Sequence, residues 1–392
     1  MPTTPLRNRL YQMALPLLAP RLPRRTEIRT EGREPIYGQE YAALLRKHHV
    51  MGAAALLRAG DEELLMLSDS PRPKHIARKE TLFRVASITK MATALCVMRC
   101  QEEGLLELDR PVKAYFPGER FAGRTGEMTC RQLLCHRAGL MDPPDLENRL
   151  LEKKPVFGVL AEAMKREPGA EFHYSNLGFG FLGCVLEAVM DAPVSRIMEE
   201  KVFRPLGMNA TLDASGLEIS RVMPVTRVLP LSPKLLFQPR PEVTVTRLGS
   251  VPLTQAEPAL HYGHTAGAMY TDIGSLARMM TCLMGDGSPL LKQESVNEMR
   301  REHAAYGAAS ATLKYGLGLL LIEDERLSKG RILGHQGYAY GCADGAFWEE
   351  ETGNMVLFLN GGCSEAREGR LGLCNLEMLR WSLRREMPAW LK

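Results

Sequence analysis

The sequence predicts an α+β fold: an antiparallel sheet flanked by helices, with a mostly helical lobe inserted between two halves of that sheet. Three observations point there. Strand-type patterning falls at both ends of the chain, in 49–67 and again in 315–360, while helical periodicity dominates between them. The run from Ile88 to Met98 is apolar on almost every side, as expected of a helix buried all round. A length of 392 residues is enough for a substantial core and two lobes.

Residues 1–34 form a Pro- and Arg-rich extension that includes Arg21-Leu22-Pro23-Arg24-Arg25. A polar helix is expected over Glu40–Lys47. The apolar runs His49–Leu57 and Glu63–Leu67, with a turn at Gly60-Asp61, make a β-hairpin. The polar stretch Ser68–Glu80 leads into the buried helix, which Gly104 terminates after Glu103. Further helices are expected over Thr129–His136 with Thr129 as cap, Val156–Lys165, Leu177–Met190, Val194–Val202, and up to Met284 behind a cap at Thr271-Asp272. Residues 225–258, rich in proline and β-branched side chains, resist assignment. Strand patterning resumes at Tyr315–Ile322, Gly341–Trp348 and Asn354–Asn360, and a last helix spans Arg370–Arg385. The expected domains are a discontinuous sheet domain, 35–99 with 236–392, and a helical lobe, 100–235.

Composition narrows the function. Fifty Lys and Arg against 46 Asp and Glu leave a net charge of +4, too mild for a nucleic-acid or anionic-membrane surface. No run approaches the roughly 20 apolar residues of a membrane-spanning helix. Arg7 and Arg9 before Tyr11–Pro20 imitate a signal peptide. That apolar part is short, broken by two prolines, Pro16 and Pro20, and followed by Arg21, Arg24 and Arg25 instead of a small-residue cleavage site. A mobile or surface-docked extension is expected instead. The nine cysteines are scattered, odd in number and nowhere spaced C-x-x-C, which predicts free buried thiols and a cytoplasmic location.

The chemistry centres on Ser87 and Lys90. Three residues apart, they share one face of the buried helix near its start. A buried lysine is costly unless paired or neutral, and burial at the positive end of a helix favours the neutral amine. An amine beside a hydroxyl is one way to make an activated nucleophile. Such a serine also needs an oxyanion site and a proton route to the leaving group. Two further groups supply candidates: Tyr174-Ser175-Asn176, just before an apolar helix, and His335-Gln336-Gly337, bracketed by Gly334 and Gly341. Those glycines suggest a backbone that something approaches closely.

In this order the three groups resemble the serine β-lactamase and penicillin-binding superfamily, with its S-x-x-K, then S-x-N or Y-x-N, then K-T-G. The Y-x-N form with H-x-G in third place resembles the class C β-lactamase-like branch, which includes D-Ala-D-Ala carboxypeptidases, D-aminopeptidases and family VIII carboxylesterases. Arg131–Leu140, Pro205–Met208 and Gly267–Asp272 match secondary signatures, and the likeness runs from about residue 40 to 362. The resemblance implies a β-lactamase/transpeptidase-like sandwich and an acyl-serine intermediate. Ser87 would attack the carbonyl, and either Lys90 or Tyr174 would take its proton. Tyr174 would protonate the leaving group and later help activate water. Asn176 would bind substrate and Lys90. The backbone N–H groups of Ser87 and Tyr338 would form the oxyanion hole. His335, Gln336, Gly337 and Tyr338 would line the substrate, with Gly337 leaving the strand open to it.

Two positions depart from the pattern. His335-Gln336 replaces Lys-Thr, which weakens recognition of a substrate carboxylate. Ala138 replaces a usual serine and is expected to be structural. The implied substrate is a small molecule or short peptide, with no metal, cofactor or nucleic acid; oligomeric state is not readable. A D-amino-acid peptidase is slightly favoured over a carboxylesterase or β-lactamase. A non-catalytic binding descendant is the alternative from another class, and intact Ser87, Lys90, Tyr174 and Asn176 count against it.

Other motifs carry less. Gly178-x-Gly180-x-x-Gly183 fits a dinucleotide fingerprint, but it follows Tyr-Ser-Asn and lies in an apolar helical run, so close helix packing explains it better. His261-x-x-His264 lacks a third metal ligand. His48-His49 at the first strand is structural, and the 21 methionines are core filling.

Overall fold

Both ends of the chain contribute to one sheet. In a computed structural model, which describes residues 10, 26–31, 35–71, 74–227, 238–239, 253–307, 312–339, 341–363 and 367–383, nine strands pair antiparallel throughout. They are β1 Arg29–Glu31, β2 Ala53–Ala59, β3 Glu62–Ser68, β4 Ala304–Ala305, β5 Leu313–Tyr315, β6 Leu320–Ile322, β7 Ile332–Ala339, β8 Cys342–Glu349 and β9 Met355–Asn360. Their spatial order is β1-β3-β2-β9-β8-β7-β6-β5-β4. The two halves join where β2 pairs β9, with Ala53 opposite Asn360 and Arg58 opposite Met355. Most of the N-terminal extension and most of 225–258 lie outside the described residues.

Eleven helices among the described residues complete the fold: α1 Pro35–Lys47, α2 Thr89–Glu102, α3 Cys130–Leu134, α4 Leu146–Leu151, α5 Val156–Ala163, α6 Asn176–Met190, α7 Val194–Met198, α8 His264–Gly267, α9 Ile273–Met284, α10 Gln293–Arg300 and α11 Leu373–Leu383. Successive strand side chains point to opposite faces, and both faces are covered. Ala54, Leu56, Leu357 and Leu359 join the larger core around α2, α6 and α9. Ala55, Leu57, Val356 and Phe358 meet Tyr41 and Leu45 of α1 and Leu376 and Leu379 of α11. Cover on both sides is why Ala53–Leu57 of β2 and Met355–Leu359 of β9 read as unbroken apolar runs.

The buried helix is α2, with every side chain from Thr89 to Met98 out of solvent. Thr129 caps α3 through a reciprocal pair with Gln132, and Asp272 caps α9 by accepting the Ser275 N–H at 2.7 Å. All nine cysteines are free and buried. No single helix among the described residues is long and apolar enough to cross a membrane.

Several elements differ from expectation. The expected strand Tyr315–Ile322 falls on two strands, β5 and β6, separated by Gly316-Leu317-Gly318-Leu319. Gly318 has φ +76°, and a Cβ there would lie 2.4 Å from the Ala94 Cβ of α2, so the turn is pressed onto the buried helix. Strand β7 runs unbroken through its glycines from Ile332 to Ala339, α1 begins at Pro35, α7 ends at Met198 in a wider turn, and α10 is not among the expected helices. The glycines of 178–183 serve close packing: a Cβ on Gly180 would stand 1.6 Å from the Tyr262 carbonyl oxygen, and one on Gly183 2.7 Å from Thr265 Oγ1.

Two glycine substitutions should therefore act in opposite directions. Gly180→Ala should destabilise the chain by about 3 kcal/mol or more through overpacking against rigid backbone. Gly158→Ala, in α5 with open space around the new methyl, should stabilise by about 0.5–1 kcal/mol. Urea unfolding of both variants checks the signs.

Candidate active site

The Ser87 turn is built by its backbone. Phe83-Arg84 pairs antiparallel with Tyr270-Thr271, and the Val85 N–H donates to the Met269 carbonyl at 3.0 Å. Ala86 then takes φ +44°, the left-handed region, which costs a non-glycine residue roughly 1 kcal/mol. Thr89 offsets it: its hydroxyl donates to the Ala86 carbonyl at 2.6 Å and accepts the Met269 N–H at 3.1 Å. The result is a sharp turn into α2 that leaves Ser87 half-buried among fully buried neighbours.

Lys90 is fully buried, and its Nζ donates to Ser87 Oγ at 3.0 Å, Asn176 Oδ1 at 2.8 Å and the Ala266 carbonyl at 2.7 Å. Burial pulls its ammonium down to about 7, with the charge of Asp142 opposing. The partners also direct the neutral form. Two of them are carbonyl oxygens that only accept, so they take the two amine protons. Ser87 Oγ is the partner that can donate, and the lone pair faces it.

Tyr174 hydrogen-bonds to Ser87, and burial pushes its phenol well above the ordinary range, with Tyr306 adding to the rise. Its turn rests on two residues the sequence reading had not singled out as site components. His136, at φ +57°, accepts the Ser175 N–H on Nδ1 at 3.1 Å and sets its ring 4.3 Å from that of Tyr174. Asp142 accepts from the Ser175 hydroxyl at 2.6 Å and from the Asn176 N–H at 2.7 Å. The matched stretch Arg131–Leu140 thus supports the tyrosine turn.

The third group is placed differently from expectation. A Cβ on Gly337 would lie 2.3 Å from the Val85 carbonyl oxygen, so this glycine lets β7 press against the Ser87 turn instead of leaving room for a ligand. His335 is buried; its Nδ1 pairs with the Gln336 carbonyl at 2.7 Å and its Nε2 with the Tyr315 hydroxyl at 2.8 Å. A carbonyl only accepts, so Nδ1 carries the proton and the tyrosine donates to Nε2. Burial, then the Lys90 charge, lowers its pKa to about 3. The Gln336 amide donates to the Arg370 carbonyl at 2.8 Å and accepts from the Gly372 N–H at 3.0 Å and Asn375 at 3.2 Å. Both side chains border the cleft with their polar atoms engaged inside the protein.

What Gln336 holds is a segment that carries two exposed arginines the sequence reading missed. Arg367 lies 4.0 Å over the Tyr338 ring and Arg370 5.9 Å from that of Tyr306. The cleft has two compartments that share Ser87, Asn176, Tyr338 and Arg367. One, about 470 Å³, is bordered by Asp142, Pro143, Leu146, Leu150 and Gly267. The other, about 260 Å³, is bordered by Tyr174, Tyr306, Leu320, His335 and Arg370. Ser87 and Tyr338 stand at the seam.

His261 takes part in an ion-pair network, with Glu187 at 2.6 Å on one ring nitrogen and Glu257 at 3.0 Å on the other. Burial lowers its pKa, but the two carboxylates more than reverse that. Among the described residues no group of three His, Cys, Asp or Glu is placed to hold a metal ion.

An antiparallel sheet covered on both faces, with a serine, a buried lysine and a tyrosine gathered at one cleft, defines a β-lactamase-fold protein. Residues 39–360 match the beta-lactamase family, and the chain belongs to that family, one of serine hydrolases. Among curated proteins it is 25% identical over 356 residues to esterase EstB of Burkholderia gladioli, covering 83% of this chain and 90% of that one. The fold is similar to that of a D-stereospecific amidohydrolase from Streptomyces sp. (TM-score 0.63, 23% identity, 86% and 94% of the two chains). It is also similar to that of D-amino acid amidase from Ochrobactrum anthropi (TM-score 0.65, 22% identity, 86% and 94%).

The depressed Lys90 pKa has a measurable sign. The folded value is about 7 against an ordinary 10.5, so the unfolded chain binds the extra proton between those limits. Stability present above the upper value is lost as pH falls towards the lower one. In Lys90→Met that slope should vanish. The variant's stability advantage, measured by urea unfolding from pH 6 to 10, should be largest below 7 and shrink as pH rises.

Proposed function

We propose that this chain is a serine hydrolase working through an acyl-serine intermediate on an amide or ester bond. The observation that carries this is the Lys90 amine, depressed to about 7 and hydrogen-bonded to Ser87 with two carbonyl oxygens directing its protons. Lys90 is the better acylation base, because Tyr174 is held as a neutral phenol. The neutral amine takes the Ser87 proton as Oγ bonds to the substrate carbonyl carbon. The N–H groups of Ser87 and Tyr338 face the oxyanion. Tyr174 gives its proton to the departing nitrogen or oxygen as that bond breaks, and the Lys90 ammonium restores it. Water then repeats the sequence on the acyl-serine, freeing the acid and Ser87.

Within this class an amidase or peptidase acting on D-amino-acid substrates is favoured. The names of two structural neighbours support it, as do Arg367 and Arg370 beside the Tyr174 compartment, where a leaving group's carboxylate would lie. The second reading is a carboxylesterase with incidental β-lactam turnover, which the EstB relative supports. The proposal includes the division into a sheet domain, 35–99 with 236–392, and a helical lobe, 100–235. Ser87, Tyr174 and Tyr338 then come from three stretches. The nine free thiols support a reducing compartment.

A fluorophosphonate probe should label the native chain and leave Ser87→Ala unlabelled; equal labelling sinks the acyl-serine reading. The labelling rate should rise about tenfold per pH unit below 7 and level off above it, as the base loses its proton. Turnover of p-nitrophenyl acetate, nitrocefin, a D-amino acid amide and a D-Ala-D-Ala peptide, side by side, separates the finer activities. If a carboxylate-bearing substrate is used, Arg370→Ala should raise its KM about tenfold or more, while an uncharged amide should be little affected.

A further inference from the structure

Asp142 carries more than its position in a loop suggests. Its Oδ1 accepts from the Ser175 hydroxyl at 2.6 Å and the Leu177 N–H at 3.1 Å, and its Oδ2 from the Asn176 N–H at 2.7 Å. The two amides belong to the first turn of α6, where no partner exists within the helix. Yet that helix already has a local cap, since Ser175 Oγ accepts the Gly178 N–H at 2.9 Å. A carboxylate from 33 residues earlier therefore does something beyond starting a helix. The residues either side of Ser175 are Tyr174 and Asn176, and both side chains meet the Ser87–Lys90 pair.

We propose that Asp142 is a positioning residue for the acyl-transfer site: it holds the Ser175–Leu177 turn from outside α6, which fixes the Asn176 oxygen that orients the Lys90 amine. The inference rests on the acyl-serine reading above. Charge points the same way. His136, His335 and Tyr174, the titratable groups packed around Lys90, are all held neutral by burial. Asp142 is the charged neighbour that acts on the amine, and it favours the ammonium. The carboxylate thus opposes burial at the amine.

Asp142→Asn in the full chain is the direct test, with Asp142→Glu as the conservative variant. The readouts are thermal melting, the pH profile of fluorophosphonate labelling, and the Lys90 amine titration by 15N NMR. Asp142→Asn should stay folded at 25 °C, label at least tenfold more slowly at its plateau, and move the acid limb and the Lys90 titration down by roughly one pH unit. Asp142→Glu should restore the acid limb even if the plateau stays low. Labelling within twofold of native with an unmoved acid limb would make Asp142 a mere helix cap and overturn the proposal. If the native chain does not label at Ser87, the acyl-serine reading fails by itself. The NMR titration then decides about Asp142: a downward shift in Asp142→Asn supports its hold on the amine, and an unchanged value refutes it.

Discussion

The constraint on which the rest of this structure depends is the set of three hydrogen-bond partners around one buried amine. Lys90 Nζ links Ser87 on the turn into α2, Asn176 at the start of α6, and Ala266 in α8. Each partner is brought in by a separate close approach. Gly180 and Gly183 let the 262–265 segment sit against α6, and Gly337 lets β7 lie against Val85. Glu187, buried within α6, accepts from the Glu257 N–H and pairs with His261, which anchors the chain just before α8. These approaches frame the pocket in which the amine keeps its partners, and an unpartnered amine there would be costly.

The site is accordingly held at some expense in stability. An Ala86 in the left-handed region and a lysine with no exposure are both unfavourable on their own. What makes them tolerable is their surroundings: the Thr89 hydroxyl ties the Ala86 carbonyl to the Met269 N–H, Ser175 and Asp142 both serve the α6 terminus, and the Ala266 carbonyl and Asn176 accept from Lys90. Local strain at a site persists when its surroundings over-determine it.

Much of this was legible in the residues. The all-round apolar run with Lys90 inside it named both the buried helix and its chemical anomaly. Caps at Thr129 and Asp272 were readable because side-chain acceptors at helix starts act locally. What stayed hidden depends on contacts between distant segments. Gly334-His335-Gln336-Gly337 breaks the apolar alternation of β7, since these residues answer to Ala346, Tyr315, Arg370 and Val85 on other segments. Gly316 and Gly318 look like interruptions in one strand until α2 is seen to press on the turn. Asp142 gave no local signal, since its three partners lie 33 to 35 residues away.

The departure from K-T-G acquires a physical account in this setting. A neutral His335, locked between Tyr315 and its own strand, contributes no charge to the cleft. The substitution of Gln336 then does something a threonine is too short to do: its amide reaches the Arg370 carbonyl, Gly372 and Asn375 at once. That contact ties the β7 strand to the start of α11 and brings Arg367 and Arg370 to the rim. Positive charge is thus carried by longer, exposed side chains beside aromatic rings instead of by a lysine on the strand. Guanidinium groups so placed suit a planar anionic group while leaving the Ser87 seam free for either an amide or an ester. In the proposed reading Lys90 sets the reaction in the core, and the choice of molecule falls to the rim, on a segment that Gln336 holds through three hydrogen bonds.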